Sequence, residues 1–253
     1  MSRFFVNPSD IDGRHIYITD KSDLHHIKKV LRLRKGDEVD ISDGESWEYR
    51  AVIEETNEFE AVLSILDKQK FGREPEVRIT LYQGIPKGSK MEDIIRKSVE
   101  LGVFRIVPVF MERTVAVDKG NSSKKLERWQ KISDEAVKQC RRGIIPKVEA
   151  PLSFSEMVDE IGEYQLVVFP YENEEEKTIK PFLRENIEKI KEKSDESLKN
   201  TAIIIGPEGG FSDKEASMLA DCGIYGVSLG KTILRTETAG PAAIAMTMYE
   251  LEL

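Results

Sequence analysis

The chain has 253 residues, of which 40% are hydrophobic and 33% are charged, and its formal net charge is −8. This composition excludes a disordered chain and suits one large globular domain or two. The longest apolar runs span a few residues, against roughly 20 for a membrane helix, and two distant cysteines and three histidines argue against a disulfide framework and a metal site, so we expect a cytoplasmic protein with no membrane partner.

The charge is unevenly distributed. Residues 119–147 contain nine basic and three acidic side chains, and residues 21–35 contain six and one, whereas residues 156–196 contain six and thirteen. A polyanion responds to the local field, because salt screens charges over about 8–10 Å. The two basic stretches therefore keep a nucleic-acid partner open, although each could equally be a solvated helix face.

Residues 1–72 are predicted to form a small β-barrel. Alternating apolar residues predict strands at 38–42, 47–52 and 59–66. Asp43-Gly44 is a hairpin turn signal between the first two strands. One short helix, capped by Ser22, interrupts this β-rich part. The charged stretch 68–76 is the expected linker.

In residues 73–253, strands alternate with helices, which predicts a parallel α/β domain with helices on both faces. The expected strands are 77–82, 104–110, 165–169, 201–205 and 227–229. The expected helices are 89–101, 124–142, 178–193, 212–222 and a last one from Pro241. Ser89 and Glu92 are expected to form a capping box at the first of these helices.

The loop from Gly206 to Ser212, with the sequence GPEGGFS, leaves a buried strand and enters a helix capped by Ser212 and Glu215. Ligands of open α/β sheets bind beyond the carboxyl ends of strands, and glycines let the backbone approach a ligand closely. The loop matches neither the dinucleotide nor the Walker A pattern, so a phosphate site is the weaker functional interpretation. A tight turn with a rigid proline remains an alternative.

A second loop, from Leu229 to Ala239, places Arg235 and Glu237 just before the last helix. Glu237 and Thr238 could simply cap that helix, because acidic groups are favourable at a helix N-terminus. A cation at that end is unfavourable, so Arg235 indicates a binding or catalytic use.

Four segments, in order along the chain, together resemble one family. They are HIKKVLR at 26–32, KMEDIIRKSVELGV at 90–103, IGPEGGFS at 205–212 and LGKTILRTETA at 229–239. ERW at 127–129 and QC at 139–140 also match. The chain resembles the RsmE family, whose members are S-adenosylmethionine-dependent methyltransferases of N3 of a uridine in 16S ribosomal RNA. The ordered set is specific, although no single motif is.

The resemblance implies that residues 73–253 form a SPOUT α/β-knot domain, with a parallel sheet, helices on both faces and a C-terminal trefoil knot. A PUA-like, RNA-binding β-barrel at 1–72 would precede it. It also implies a homodimer that acts on 16S ribosomal RNA or a small-subunit particle and needs no metal. The implied pocket for S-adenosylmethionine consists of Phe169, Pro170, Gly206, Gly210, Leu229, Gly230, Leu234 and Thr236. The loop 171–173 departs from the family pattern, so its contacts are left open.

Uridine N3–H is a weak acid, so its methylation benefits from a base near N3 and a cation near a carbonyl oxygen. Glu237 is the candidate base, and Arg235 is the candidate cation. N3 lies on the Watson–Crick edge, so the uridine must be unpaired or flipped out. The candidate RNA contacts are Lys90 and Lys97, which share a helix face, and Arg3, His26, Arg32 and Arg141. Solvated lysines and a structural histidine are the alternatives.

Three other functions stay open. One is a nucleotide-binding α/β protein that uses the GPEGG loop for phosphate, and another is a non-catalytic RNA-binding dimer. The third is a 2′-O-ribose methyltransferase of the same fold. The barrel and the motifs in both predicted domains argue against this last alternative.

Overall fold

The computed structural model describes residues 2–72, 74–115, 122–193 and 200–252. The chain divides into two compact units. The first comprises Met1–Glu74 and Val137–Ile145, and the second comprises Pro75–Ala136 and Pro146–Leu253. The first division lies close to the expected boundary after residue 72. Residues 137–145 also belong to the first unit, although they follow the boundary by more than sixty residues. The expected division into 1–72 and 73–253 is therefore wrong for this segment.

The first unit is a six-stranded, mostly antiparallel sheet around one core. Its strands are β1 (Arg3–Phe5), β2 (Ile11–Asp12), β3 (His15–Ile18), β4 (Glu38–Ser42), β5 (Trp47–Thr56) and β6 (Ala61–Lys70). They lie in the order β1-β4-β5-β6-β3-β2, and only the β1–β4 pair is parallel. Alternate residues such as Phe4, Ile16, Ile41, Ile53 and Leu63 point into a shared core, as the period of two predicts.

One helix, α1 (Lys21–His25), covers this core and continues as a π-helical turn over His26–Val30. The predicted N-cap at Ser22 is wrong. Asp20 is the cap, because its carboxylate accepts hydrogen bonds from the amides of both Ser22 and Asp23 at 2.9 Å. An acidic cap also interacts favourably with the helix dipole.

The second unit is a parallel sheet covered by helices. Its strands are β7 (Arg78–Gly84), β8 (Arg105–Phe110), β9 (Lys147–Val148), β10 (Leu152–Ser153), β11 (Leu166–Val168) and β12 (Asn200–Ile205). Its helices are α2 (Lys90–Glu100), α3 (Ser122–Cys140), α4 (Phe154–Ile161), α5 (Ile179–Lys193), α6 (Asp213–Asp221) and α7 (Thr236–Glu252). The strands follow the order β10-β8-β7-β12-β11, and β9 also pairs with β8. The last residues of α3, from Val137, belong to the first unit.

The helix expected from Ser89 begins there, with Ser89 as its N-cap residue, but the expected capping box is wrong. The Ser89 side chain makes no cap hydrogen bond, and Glu92 instead pairs with Arg128 at 2.6 Å. Helix α7 begins at Thr236 rather than at Pro241, because the amide of Ala239 already donates to the carbonyl of Arg235. Pro241 therefore lies in the second turn, where it has no N–H to donate to the carbonyl of Glu237.

A late segment of the second unit lies between the two flanks of an earlier loop. The predicted strand at 227–229 consists of two isolated bridges, Val227 to Pro170 and Ser228 to Thr178. Their backbone hydrogen bonds run from Val227 N to Phe169 O, from Tyr171 N to Val227 O, from Ser228 N to Lys177 O and from Ile179 N to Ser228 O, over 2.8–3.1 Å. This arrangement fixes the start of the loop that leads to α7.

None of the helices in the described part of the chain is long and apolar enough to cross a membrane.

Candidate functional site

A cavity of about 480 Å³ opens in the second unit beyond the end of β12. One side is residues 206–212, which we call the glycine wall, and the opposite side is residues 228–235, which we call the arginine wall. The loop after β11 contributes Pro170, Tyr171 and Glu172, and the rest of the lining is Lys90, Ile205, Thr236 and Ala239. The volume lies within the range of about 300–1,000 Å³ that is usual for small-ligand sites.

The cavity brings together nearly all the residues expected in the donor pocket. Those that line it are Pro170, Gly206, Gly210, Leu229, Gly230, Leu234 and Thr236. Phe169 lies behind the lining, where its ring stacks on Tyr171 at 5.3 Å and meets Phe211 edge-on at 4.8 Å. Phe169 therefore shapes the cavity through its neighbours.

The glycine wall depends on close backbone approaches. Gly210 has φ +66°, and a Cβ at this position would collide with the carboxylate of Glu172. On the outer side of the wall, a Cβ on Gly84 at the end of β7 would lie 2.6 Å from Pro207 N. Only glycine meets both demands, since it adopts positive φ without steric strain and carries no Cβ.

Hydrogen bonds from outside hold the glycine wall. Ser212 and Glu215 form the expected capping box at α6, and the buried Glu215 carboxylate also accepts a hydrogen bond from the amide of Glu112 at 2.8 Å. The Ser212 hydroxyl donates to the Glu112 carboxylate at 2.7 Å. The Arg113 guanidinium donates to the carbonyl of Gly209 at 3.0 Å. The loop after β8 thus supports this wall.

Thr236 joins the glycine wall to the first turn of α7. Its buried hydroxyl donates to the carbonyl of Gly206 at 2.7 Å and accepts from the amide group of Gln83 at 2.9 Å. Gln83, on β7, is fully buried. These two hydrogen bonds therefore fix the start of α7 against the glycine wall and β7.

The arginine wall has few such supports. The Ser228 hydroxyl and the backbone of Gly230 exchange hydrogen bonds at 3.0 and 3.3 Å. Ile233 is 83% exposed. Within the described part of the chain, no hydrogen bond or ion pair engages the guanidinium of Arg235, which lines the cavity. This cation is available to a ligand.

Glu237 lies beside the cavity and does not pair with Arg235. Its Oε2 is 3.3 Å from the ammonium of Lys90, which also lies 3.0 Å from Oε1 of Glu208. The hydrogen bond to Glu208 is the main cause that raises the pKa of Lys90. Partial burial tends to raise the pKa of Glu208, but hydrogen bonds from its own backbone amide, from Lys90 and from the amide of Lys87 hold it below the ordinary value.

The two lysines expected to bind RNA differ in their surroundings. Lys90 lines the cavity and is paired with two carboxylates. Lys97 lies on the same helix, is exposed, and has no ion pair to any residue that the structure describes.

The candidate RNA contacts of the first unit also differ among themselves. The guanidinium of Arg3 is largely buried, donates to the carbonyls of Arg141 and Arg142 at 3.1 and 3.0 Å and pairs with Glu48. The ring of His26 packs edge-on against Phe4. Arg32 and Arg141 are exposed and have left-handed backbones, with φ +54° and +60°.

The sequence reasoning did not assign several residues of this site. Glu208 stands inside the GPEGG motif, so its place in the cavity could have been anticipated. Arg113 and Glu172 reach the site from two other segments, and no local pattern signals that. Lys90 was predicted as an RNA contact, and the structure places it in the lining of the cavity. Within the described ranges, no three His, Cys, Asp or Glu side chains are grouped so as to hold a metal ion.

Two family models match the chain. The model described as RNA methyltransferase PUA domain matches residues 18–66, and the model described as RNA methyltransferase domain matches residues 73–248.

Relatives match over the full length. Ribosomal RNA small subunit methyltransferase E of Synechocystis is 34% identical over 99% of this chain and 78% of that protein. The protein of the same name from Bacillus subtilis is 27% identical over 100% of this chain and 98% of its own length. Among solved structures, a Ribosomal RNA small subunit methyltransferase E from Neisseria gonorrhoeae bound to S-adenosyl methionine superposes with a TM-score of 0.82 at 29% identity, covering 99% of this chain and 98% of that one.

Proposed function

Because the chain belongs to the Ribosomal RNA small subunit methyltransferase E family, we propose that it methylates N3 of one uridine in 16S ribosomal RNA. The expected resemblance and fold class are confirmed: a PUA-like β-barrel precedes a SPOUT α/β-knot domain. The chain is an S-adenosylmethionine-dependent ribosomal RNA methyltransferase. We further propose which atom of the uridine is methylated, which residues bind and react, and that the protein is a homodimer.

The observation that carries the proposal is the cavity between the glycine wall and the arginine wall. Its size suits a nucleoside-sized ligand, and the missing Cβ at Gly210 lets the Glu172 carboxylate lie against the glycine wall at the edge of this volume. The cavity is also lined by two carboxylates, those of Glu172 and Glu208. Lys90 and Arg235 line it as well, and Lys90 pairs with Glu208, so the Glu172 carboxylate is the group that can attract the cationic sulfonium of S-adenosylmethionine.

Bound S-adenosylmethionine supplies an activated methyl group that needs no further covalent activation. The residues that would hold it are Pro170, Gly206, Gly210, Leu229, Gly230, Leu234 and Thr236, with Phe169 behind them. Most of these contacts are backbone or apolar side chain, which suits a donor that has to be oriented and kept dry.

The acid–base chemistry falls to two residues at the start of α7. Arg235, whose guanidinium is unpaired among the described residues, stabilises the negative charge that develops on a uridine carbonyl oxygen. Glu237 accepts the N3 proton; Lys90 lies against its Oε2, which has no hydrogen-bond partner among the described residues. General-base help of this kind is worth about 10²–10⁴-fold in rate.

RNA binding is assigned to exposed basic residues. Lys97 belongs to the second unit, and Arg32 and Arg141 belong to the first. A left-handed backbone costs a non-glycine residue about 1–2 kcal/mol, so two strained, exposed arginines indicate a use for their charge. Arg3 holds the backbone of Arg141 and would act through it, and the packing of His26 against Phe4 supports a structural role.

A homodimer is proposed to form through α7. Met246 and Tyr249 on this helix are 37% and 66% exposed and border an apolar cavity of about 500 Å³. Leu229 and Gly230 line both this cavity and the donor cavity, so a second copy would cover the arginine wall. Sedimentation velocity tests this: Tyr249→Asp should yield monomers, whereas Phe59→Asp, at an exposed aromatic of the first unit, should not. A dimeric Tyr249→Asp variant would rule this face out.

Calorimetry separates the proposal from its rivals. S-adenosylmethionine, ATP and a small-subunit ribosomal RNA fragment are titrated separately into the protein. We expect S-adenosylmethionine and the RNA to bind and ATP not to bind. Binding of ATP alone would favour the nucleotide-binding protein, and binding of RNA alone would favour the non-catalytic module. The ribosomal RNA substrate also supports action in the cytoplasm.

A further inference from the structure

Lys90 connects two parts of the donor site that are far apart in sequence. Its ammonium lies 3.0 Å from Glu208 in the glycine wall and 3.3 Å from Glu237 in the first turn of α7. Glu208 is itself fixed by the amide of Lys87, which donates to its two carboxylate oxygens at 3.0 and 3.3 Å. The ammonium of Lys90 thus bridges one carboxylate of the glycine wall and one carboxylate of the first turn of α7.

This arrangement is unfavourable for an RNA contact. One ammonium with two carboxylates has a net charge of −1, which repels phosphate. A cation at the first residue of α2 also opposes the helix dipole, so the position is favourable only because the carboxylates compensate it.

The first turn of α7 needs an external support. Pro241 provides no N–H for the carbonyl of Glu237, so this turn lacks one of its helical hydrogen bonds. Thr236 is anchored through its hydroxyl, but the Glu237 side chain has no hydrogen-bond partner for its shielded Oε2 among the residues described. Lys90 is the cation that lies against this oxygen.

We propose that Lys90 is a positioning residue, which holds the Glu237 carboxylate in register with the glycine wall through Glu208, and not an RNA contact. The inference rests on the proposed function, since the position of Glu237 matters for rate only if Glu237 takes part in proton transfer. It replaces the expectation that Lys90 and Lys97 act alike because they share a helix face.

The test compares Lys90→Ala, Lys90→Arg and Lys97→Ala. At saturating donor and RNA, Lys90→Ala should reduce the single-turnover rate by about 10-fold or more, within the range of general-base effects. Its salt dependence of RNA binding should match the parent. Lys90→Arg keeps the charge and should recover most of the rate. Lys97→Ala should instead weaken RNA binding and flatten the log–log salt slope by about 0.7, the value for one phosphate of a single strand.

The opposite pattern overturns the inference. If Lys90→Ala flattens the salt slope and turns over at the parent rate once RNA saturates, Lys90 is an RNA contact. A rate loss that Lys90→Arg deepens rather than relieves also contradicts a bridging cation.

A second readout does not depend on methylation. Hydrogen exchange of the amides of Thr238 and Ala239, which close the first turn of α7 onto Arg235, should be several-fold faster in Lys90→Ala and unchanged in Lys97→Ala. Equal exchange in parent and Lys90→Ala would refute the positioning role even in an active enzyme. Faster exchange in a protein that transfers no methyl group would keep the positioning role and reject the proposed function.

Discussion

The two walls of the proposed donor cavity are held in different ways. The glycine wall is fixed from three sides, by the α6 cap and Glu112, by Arg113, and by the Thr236 hydroxyl. The arginine wall is held by backbone hydrogen bonds at its two ends, Ser228 and Arg235, and by the local exchange between Ser228 and Gly230, and most of its side chains face solvent.

This difference suggests that the glycine wall determines the shape of the cavity and the arginine wall supplies its charge. A wall that is fixed before the ligand arrives loses little entropy on binding, so it can define the volume that the donor fills. The guanidinium of Arg235, which is unpaired among the described residues, can interact with a uridine carbonyl oxygen as negative charge develops on it during the reaction. Changes in the glycine wall should therefore affect donor affinity, and changes at Arg235 and Glu237 should affect rate.

The largest effect is expected at Gly210. Gly210→Ala forces the Glu172 carboxylate, which lines the cavity, out of its place against the glycine wall, and we expect this altered lining to weaken donor binding by about 100-fold, the equivalent of about 3 kcal/mol. Gly88→Ala is the matched control, because Gly88 has the same φ of +66° but nothing within 4 Å of its Cβ position. Calorimetry with S-adenosylmethionine checks both variants. Similar affinities for the two would mean that the glycine wall does not shape the donor site.

The next effect concerns the start of α7. Glu237→Gln should reduce single-turnover methylation by about 10²-fold, as expected for a lost general base, while donor affinity barely changes. High pH should restore part of the rate, because more of the uridine is already ionised. Arg235→Ala should lose rate without this recovery, since it removes a charge and not a proton acceptor. A near-normal rate for Glu237→Gln at neutral pH would reduce Glu237 to a helix cap.

A smaller effect is expected from the support of the glycine wall. Arg113→Ala removes the hydrogen bond to the carbonyl of Gly209, and a net loss of about 1 kcal/mol corresponds to a few-fold weaker donor binding. Arg128→Ala removes an exposed arginine that pairs with Glu92 away from the cavity, so its donor affinity should equal that of the parent. If both variants bind equally well, this support is not needed.

The smallest effect is a pH dependence of stability at Glu208. Its pKa lies below the ordinary value of 4.5 in the folded protein, so the ionised form contributes stability above that value. The difference in unfolding free energy between the parent and Glu208→Gln should be constant from neutral pH to about 5 and shrink as the pH falls through the lowered pKa. Urea unfolding at several pH values measures this difference. A difference that grows towards acid would contradict the sign of the shift.

The longer strands and helices could be predicted from the sequence because they depend on local periodicity, whereas β1, β2, β3, β9, β10 and α4 were missed because each spans only two to eight residues. Buried strands such as 201–205 are short apolar runs, and α3 shows one apolar face. The starts of helices were less predictable. Ser22 and Ser89 are residue types that favour helix caps. At α1, however, the cap is Asp20, because its carboxylate accepts hydrogen bonds from two amides. At α2, the Glu92 side chain pairs with Arg128 and does not complete a capping box.

The residues that form the walls of the site could be predicted from sequence motifs, whereas the contacts between the walls could not. Gly210, Leu234 and Thr236 were expected in the pocket and line it. The ion pairs of Lys90 join segments that lie more than a hundred residues apart, and helical spacing alone grouped this lysine with Lys97. Long-range charge pairing is set by the topology of the parallel sheet, which the local sequence pattern does not contain.

The position of the transferred methyl group tests the central claim most directly. Small ribosomal subunits that lack the modification are incubated with the protein and S-adenosylmethionine carrying a labelled methyl group, and the RNA is digested to nucleosides. We predict that the label elutes as 3-methyluridine and that Glu237→Gln greatly reduces it. Label in a 2′-O-methylated nucleoside, or no transfer by a protein that binds the donor, would contradict the account.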